Sequence, residues 1–322
     1  MITNLLSVLI PCYNGHEYLN TCLNCILDQD YDDIEVIIVN DGSSDNSEEI
    51  ILSYEERFSE RGFIFNYINQ ENQGAAGAIN NALKVCQGEF IVLYDVDDFL
   101  YPHSYSTMVN YLKDHPEYGM VQCNGYFVTP SNLNDTSRLF VKDEASHSRN
   151  YFEDYLFGKT HNWPSSYMLR AENLFDTLIN KDIYVSPYGQ NLQVILPVAY
   201  KYKVGYIHEP LMRYLVRDNS VSHPKDFNTM VKLFSGFEEN KVETIKRIVD
   251  MSENSKQKYI TDAMVESYIM RLVYAFQKLE KKYYITEYKQ YKKIAKPAFS
   301  FKVKNFLFHV PFMTSILKSI KK

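Results

Sequence analysis

Three continuous apolar runs set the terms for this chain: "LSVLI" at 6–10, "IEVIIV" at 34–39 and "EFIVLY" at 89–94. None alternates cleanly with polar residues. Short unbroken runs of this kind fit strands buried on both faces, the pattern of a parallel sheet. Each run stops at polar turn residues: "PCYNG", "NDGSSD" and "DVDD". Helical patterns fill the gaps. After the first run Tyr18, Leu19, Cys22 and Ile26 share one helical face. Ser43 or Ser44 is placed to cap a helix around 46–60. "FIFNYINQ" (63–70) reads as a further strand, and "ENQGAAGAINNALKVCQG" as a Gly-rich turn entering a helix. Strand and helix alternating through short links predict an α/β fold, a mostly parallel sheet with helices on both faces.

The remainder is mixed. "YGMVQCNGYFV" (118–128) is a strand, and "SSYMLRAENL" a strand entering a helix. "GQNLQVILPVAYKY" reads as a helix kinked near Pro197, and "KVGYIHEPLMRYLVR" as one or two strands. Beyond residue 226 the pattern is helical, with Met264, Tyr268, Leu272, Ala275 and Leu279 at helical spacing. The expected organisation is a catalytic domain at 1–225 and a helical region with a basic tail at 226–322.

Ligands of open α/β sheets sit beyond the carboxyl ends of the strands. The unusual polar residues fall there: Tyr13 and Asn14, then Asp41, then the Gln73–Gly77 turn, then Asp95, Asp97 and Asp98. Three carboxylates so close repel one another and resist burial. A hard divalent cation such as Mn²⁺ or Mg²⁺ relieves both problems and bridges to phosphate oxygens. Helix capping by Asp98 would account for one of the three acids only.

The segments "SVLIPCYNGHEYL", "IEVIIVNDGSSDNS", "NQGAAGAINNAL", "GEFIVLYDVDDF" and "YLVRDNSVSH" together resemble a family 2 glycosyltransferase of the bacterial polysaccharide type, with the GT-A (Rossmann-like) fold. The resemblance covers roughly 5–225. It implies a nucleotide-diphosphate sugar donor, UDP-linked, and an inverting transfer to a glycan or lipid-linked acceptor. It implies that Pro11 and Tyr13 line the base, that Asn14 and Gly77 adjoin the nucleotide, and that Asp41 accepts from uracil. Asp97 holds the ribose or shares the metal, and Asp98 and Asp95 meet the metal or the donor sugar. His223 is a further metal ligand on the same grounds. Members often carry Arg or Lys after the Gly-rich turn, where this chain has Ile79 and Asn80.

Inverting transfer needs an acceptor for the hydroxyl proton. Where the family carries an acidic pair, this chain has Gln190 and Asn191, and 183–207 contains no Asp or Glu. Neither amide takes up a proton near neutral pH. Three readings stand open. Asp182, Glu209, His161 or His208 serves as base; or Gln190 and Asn191 position the acceptor while metal and leaving group carry catalysis; or the chain is a sugar-nucleotide-binding scaffold subunit without transfer activity. Arg213 and Arg217 are candidates for the diphosphate. Trp163 is a candidate for sugar stacking or for packing.

The net charge of −6 is unevenly spread. Residues 281–322 carry eleven lysines against one glutamate, +10, which leaves −16 for the rest. Phe299, Phe301, Phe306, Phe308, Phe312, Ile316 and Ile320 are interleaved with those lysines. The tail suits a peripheral contact with an anionic membrane, or packing on protein. No nucleic-acid module accompanies it. With no basic leader and no long apolar span, the expected location is cytoplasmic or peripheral on the inner membrane face. The five cysteines, including Cys22 and Cys25, are expected to be reduced and structural. A nucleotidyltransferase would place a Gly-rich loop after the first strand, a D-x-D phosphatase its acids there, and a dinucleotide reductase would need G-x-G-x-x-G. The chain shows none of these.

Overall fold

The computed structural model describes residues 1–142, 150–217 and 226–310. It has two compact units, residues 1–218 with 246–250, and residues 219–245 with 251–322.

The first unit is built on a sheet of eight strands: β1 (Ile2–Cys12), β2 (Ile34–Asp41), β3 (Ile64–Gln70), β4 (Gly88–Leu93), β5 (Phe99–Leu100), β6 (Tyr118–Val128), β7 (Tyr167–Arg170) and β8 (Lys203–Leu215). Their order is β3-β2-β1-β4-β7-β6-β8-β5. The strands β3, β2, β1 and β4 are parallel. β7 runs antiparallel to both β4 and β6, β8 is parallel to β6, and β5 is antiparallel to β8. The expected parallel half is present, and the second half is mixed.

The unbroken apolar runs are buried from end to end. Every residue of β2 is buried, including Glu35. Helix α1 (His16–Leu27) buries Leu19, Cys22, Leu23 and Ile26, a spacing that makes one apolar stripe. The pattern expected to make one helix at 46–60 forms two, α2 (Ser47–Leu52) and α3 (Glu55–Glu60). The break lets Tyr54 turn inward, where its hydroxyl donates to the Asn20 carbonyl at 3.1 Å. Neither Ser43 nor Ser44 caps α2. Asp45 Oδ1 accepts from the Ser47 N–H at 3.0 Å instead. Helix α4 (Gly74–Val85) packs its small residues on β1 and β2. Helices α5 (Ser104–Asp114), α6 (Tyr151–Leu156), α7 (Ala171–Thr177) and α8 (Asn191–Lys201) complete the layers, α8 running through Pro197 as one helix. Cys12, Cys22 and Cys123 are buried and Cys25 and Cys86 partly so, all as free thiols.

The second unit holds α9 (Phe227–Arg247, up to Ile245), α10 (Glu253–Lys278), α11 (Lys281–Ile294) and α12 (Phe299–His309). Its apolar core joins Leu272, Ala275, Tyr284, Tyr288, Tyr291, Phe301 and Phe308. Beside it Arg271, 5% exposed, donates to Glu238 at 2.6 Å and to Glu287 at 2.8 Å. No described helix is long and apolar enough to cross a membrane.

At the amino end of the sheet β1 and β4 approach closely. The Gly88 N–H donates to Ser7 Oγ at 2.9 Å. A Cβ at Gly88 would lie 2.6 Å from the Leu5 carbonyl oxygen and 2.7 Å from the Ser7 nitrogen. Backbone cannot give way as a side chain can. Gly88→Ala is therefore expected to destabilise by about 2 kcal/mol, a fall in Tm of roughly 4–8 °C, measured by thermal unfolding monitored by circular dichroism.

Candidate active site

The carboxyl ends of β1, β2, β3 and β4 share one rim. Tyr13, just past β1, is 56% exposed. Asn14 follows with a left-handed φ of 50°. Its N–H donates to Ser43 Oγ at 2.9 Å, and its Oδ1 accepts from the Ser44 N–H at 2.8 Å. Asn14 thus laces the turn after β1 to the turn after β2. Pro11, in register with Val39, is half-buried just below.

Asp41 ends β2 and is buried. Its Oδ1 accepts from Gln70 Nε2 at 2.7 Å and from the Gln73 N–H at 2.8 Å. It ties the end of β3 to the turn that opens α4. Gly77 lies in the first turns of that helix, where a Cβ would come within 2.6 Å of Gln73 Cβ. Asn80, one turn on, does not face the rim. Its Nδ2 donates to the Ile183 carbonyl at 3.0 Å, and its Oδ1 accepts from the Ile183 N–H at 2.8 Å. Asn80 therefore holds the segment leading to α8.

The three carboxylates after β4 have separate partners, each from a different segment. Gln190 Nε2 donates to Asp95 Oδ1 at 3.2 Å. Arg217 pairs with Asp97. Ser165 Oγ donates to Asp98 Oδ2 at 3.0 Å. Burial pushes Asp95 up to about 7, with repulsion from Asp97 adding and Arg217 opposing. Burial also raises Asp97, against the pull of Arg217. Asp98 is raised well above the usual carboxylate range, again by burial and then by Asp95 and Asp97. Its Oδ1 is buried with no hydrogen-bond partner among the described residues.

Among the described residues no three His, Cys, Asp or Glu side chains form a group able to hold a metal. Asp98 is 1% exposed and turned onto Ser165, because the chain folds back into β5 immediately after it. Asp95 and Asp97 are only partly buried and remain at the rim. Mg²⁺-type ions commonly take one or two carboxylates and complete their shell with phosphate oxygens and water. Two crowded rim carboxylates with raised proton affinity fit that demand. His223 lies outside the described residues.

The other candidates separate clearly. Gln190, 8% exposed, caps the start of α8 beside Asp95. Asn191 Oδ1 accepts from Tyr167 Oη at 2.8 Å. Arg213 is not at the diphosphate end; it donates to the Leu133 carbonyl and, at 2.7 Å, to Asn134 Oδ1, over the rings of Phe99 and Tyr101. Trp163 packs, with Tyr214 at 4.9 Å between ring centres and Phe127 at 6.1 Å. Of the proposed bases, Glu209 pairs with His103 at 2.9 Å on the surface, and His161 Nε2 lies 3.1 Å from the Cys123 carbonyl. Asp182 is exposed, and the His208 ring lies edge-on to Tyr206. Ser165 escaped the sequence. It sits at a left-handed φ of 65°, and "WPSSYM" gives no sign of it.

A family model for glycosyl transferase family 2 matches residues 7–175. The uncharacterized glycosyltransferase YibD of Escherichia coli is 36% identical over 122 residues, 38% of this chain and 34% of the relative. The putative glycosyltransferase EpsH of Bacillus subtilis is 34% identical over 145 residues, 45% of this chain and 39% of the relative. The glycosyltransferase GlyA of Streptococcus pneumoniae is 31% identical over 238 residues, 69% of this chain and 32% of the relative. The chain spans less than half the length of these relatives. Among solved structures, S. aureus TarS 1–349 superposes with a TM-score of 0.61 at 16% identity, covering 89% of this chain and 80% of that one. The mannosyltransferase PcManGT from Pyrobaculum calidifontis, solved with GDP-Man and Mn²⁺, gives 0.57 at 16% identity, covering 98% and 87%. The fold is the GT-A fold. With more than half of its length matched by the family model, this chain belongs to glycosyl transferase family 2.

Proposed function

We propose that the chain transfers a sugar, with inversion, from a nucleotide-diphosphate donor of the UDP class to a glycan or lipid-linked acceptor in cell-surface polysaccharide synthesis. The observation that carries this is the group of under-neutralised carboxylates at the end of β4, on the same rim as the exposed Tyr13 ring. Family membership supports the reaction class. The solved complexes of TarS with UDP-GlcNAc and of PcManGT with GDP-Man and Mn²⁺ support the donor class and a divalent ion.

Tyr13 would offer a ring face to the base, and Asp41, held through Oδ1 by Gln70 and Gln73, would accept from the base through its other oxygen. Asp95 and Asp97 would hold the ion, which when bound would supply positive charge against the leaving diphosphate. Asp97 would give up its pairing with Arg217 for that contact. The freed guanidinium then has a fork of donors for phosphate oxygens. The acceptor oxygen attacks the anomeric carbon as the bond to the diphosphate breaks, and the hydroxyl proton passes to solvent water. Gln190 and Asn191, at the start of α8, orient the acceptor. With no carboxylate in 183–207, stabilising the leaving group carries most of the rate enhancement.

The direct test is calorimetry with UDP-sugars and Mn²⁺, followed by a donor-hydrolysis and transfer assay. Metal-assisted affinity with turnover is expected. Affinity without turnover on any acceptor would favour a binding subunit, and no affinity at all would end the proposal. Asp97→Asn should lower turnover by about 10²–10³-fold while leaving the circular dichroism spectrum unchanged.

The same crowding predicts a pH effect on the free protein. Asp95 titrates at about 7 when folded and near 3.9 when unfolded. Between those values the unfolded chain binds fewer protons, so its stabilisation relative to the fold grows as pH rises. In metal-free buffer Tm should therefore fall from about pH 4 to about pH 7. Asp95→Asn should flatten that fall and raise Tm at about pH 8, read by differential scanning fluorimetry. An unchanged profile in the variant would show that Asp95 carries no such strain.

A further inference from the structure

Among the described residues of the second unit, α11 and α12 each expose one side to solvent. Helix α12 turns Phe301 and Phe308 into the core, at 7% and 0% exposed. Its opposite side shows Phe299 at 79%, Phe306 at 66% and Val303 at 38%. Those three sit at i, i+4 and i+7, one stripe of a helix. Phenylalanines so exposed on a regular helix are rarely a neutral surface choice. The inward placement of Phe301 and Phe308 also divides the apolar face that the sequence suggested: two of its rings are core, and two are surface.

Helix α11 packs on α12, and the Tyr284 hydroxyl donates to the Phe301 carbonyl at 3.1 Å. Its inward side carries Tyr284, Tyr288 and Tyr291. Lys281, Lys282, Lys289, Lys292 and Lys293 are all exposed. The only acid of the helix, Glu287, is drawn inward onto Arg271 at 2.8 Å. Among the described residues no ion pair joins any of these five lysines to a carboxylate. Among the described residues the exposed charged side chains of α11 are thus all lysines, and α12 carries the exposed Lys302 beside its apolar stripe.

We infer that this double face docks on a bilayer containing anionic phospholipid. Lysines beside an apolar helix stripe match an anionic headgroup layer over acyl chains. A protein partner would need an acidic rim around an apolar pocket. A second copy would set like-charged α11 faces against each other. A bilayer with anionic headgroups meets both features without repulsion. The inference does not depend on the transfer reaction, since vesicle binding is read without donor or acceptor.

The test is flotation of the full chain with phosphatidylcholine vesicles, with or without about 30% phosphatidylglycerol. Binding should need the anionic lipid and weaken by roughly tenfold or more between about 0.1 M and about 0.5 M NaCl. Phe299→Ser with Phe306→Ser should weaken it by at least about tenfold, at unchanged Tm, because both rings are already in water. Lys289→Glu, Lys292→Glu and Lys293→Glu together should do the same. Cutting the chain after Val310 should leave most of the binding. Parent-like binding by the Phe variant, equal binding to neutral vesicles, or complete loss on truncation alone would each overturn the proposal. So would light scattering that shows a dimer dissolved by the Phe substitutions.

Discussion

Three acids at the end of one strand are the constraint around which the first unit is arranged. Asp95, Asp97 and Asp98 come just after β4 with a single valine between them. Placed together at the edge of a low-dielectric sheet they repel, and burial works against each charge. The fold answers with three partners from three separate segments: Gln190 at the start of α8, Arg217 after β8, and Ser165 before β7. The elements beyond β4 are thereby tied to one point. Burial raises Asp98, the most buried, well above the usual carboxylate range. Asp95 and Asp97 are only partly buried and stay at the rim.

The segment before α8 obeys the same logic at one remove. Gln190 reaches Asp95 only because the segment before α8 is pinned. Asn80 matches both the N–H and the carbonyl of Ile183, as a neighbouring strand would. Gln193 Nε2 donates to the Gly189 carbonyl at 2.7 Å and the Tyr184 carbonyl at 3.2 Å. Thus α4, the helix opened by the Gly-rich turn, also fixes the approach to the opposite wall. An Asn in place of a cation at this point exchanges a long-range charge for two short backbone bonds.

The sequence made the parallel half legible because burial on both faces leaves an unmistakable run of apolar residues, and because Gly, Asn and Asp punctuate it. The rim residues were legible for the same reason: each stands directly after an apolar run. Ser165 was not, since its role depends on a left-handed turn between two unremarkable residues. Arg213 and Arg217 look alike in "MRYLVR", and four residues decide that one meets the Leu133–Asn134 turn while the other meets Asp97. The tail misled in a similar way. Period alone grouped Phe299, Phe301, Phe306 and Phe308, whereas packing sends alternate members to opposite sides of the helix.

A second buried carboxylate shows why the acids after β4 are read as a binding site rather than as structure. Glu35, in the middle of the β2 run, is fully buried. Its two oxygens accept from Ser7 Oγ at 2.5 Å, the Gln87 N–H at 2.9 Å, and Gln87 Nε2 and Asn66 Nδ2 at 3.2 Å. Four donors from β1, β3 and the turn before β4 satisfy it, and it fastens the amino end of the sheet. At the carboxyl end of the same strands the described partners give each acid a single contact, and Asp98 Oδ1 has none. A native fold rarely leaves buried acceptors short of donors without a reason. Saturation at one end and shortage at the other set the acid that holds the sheet together apart from the acids after β4.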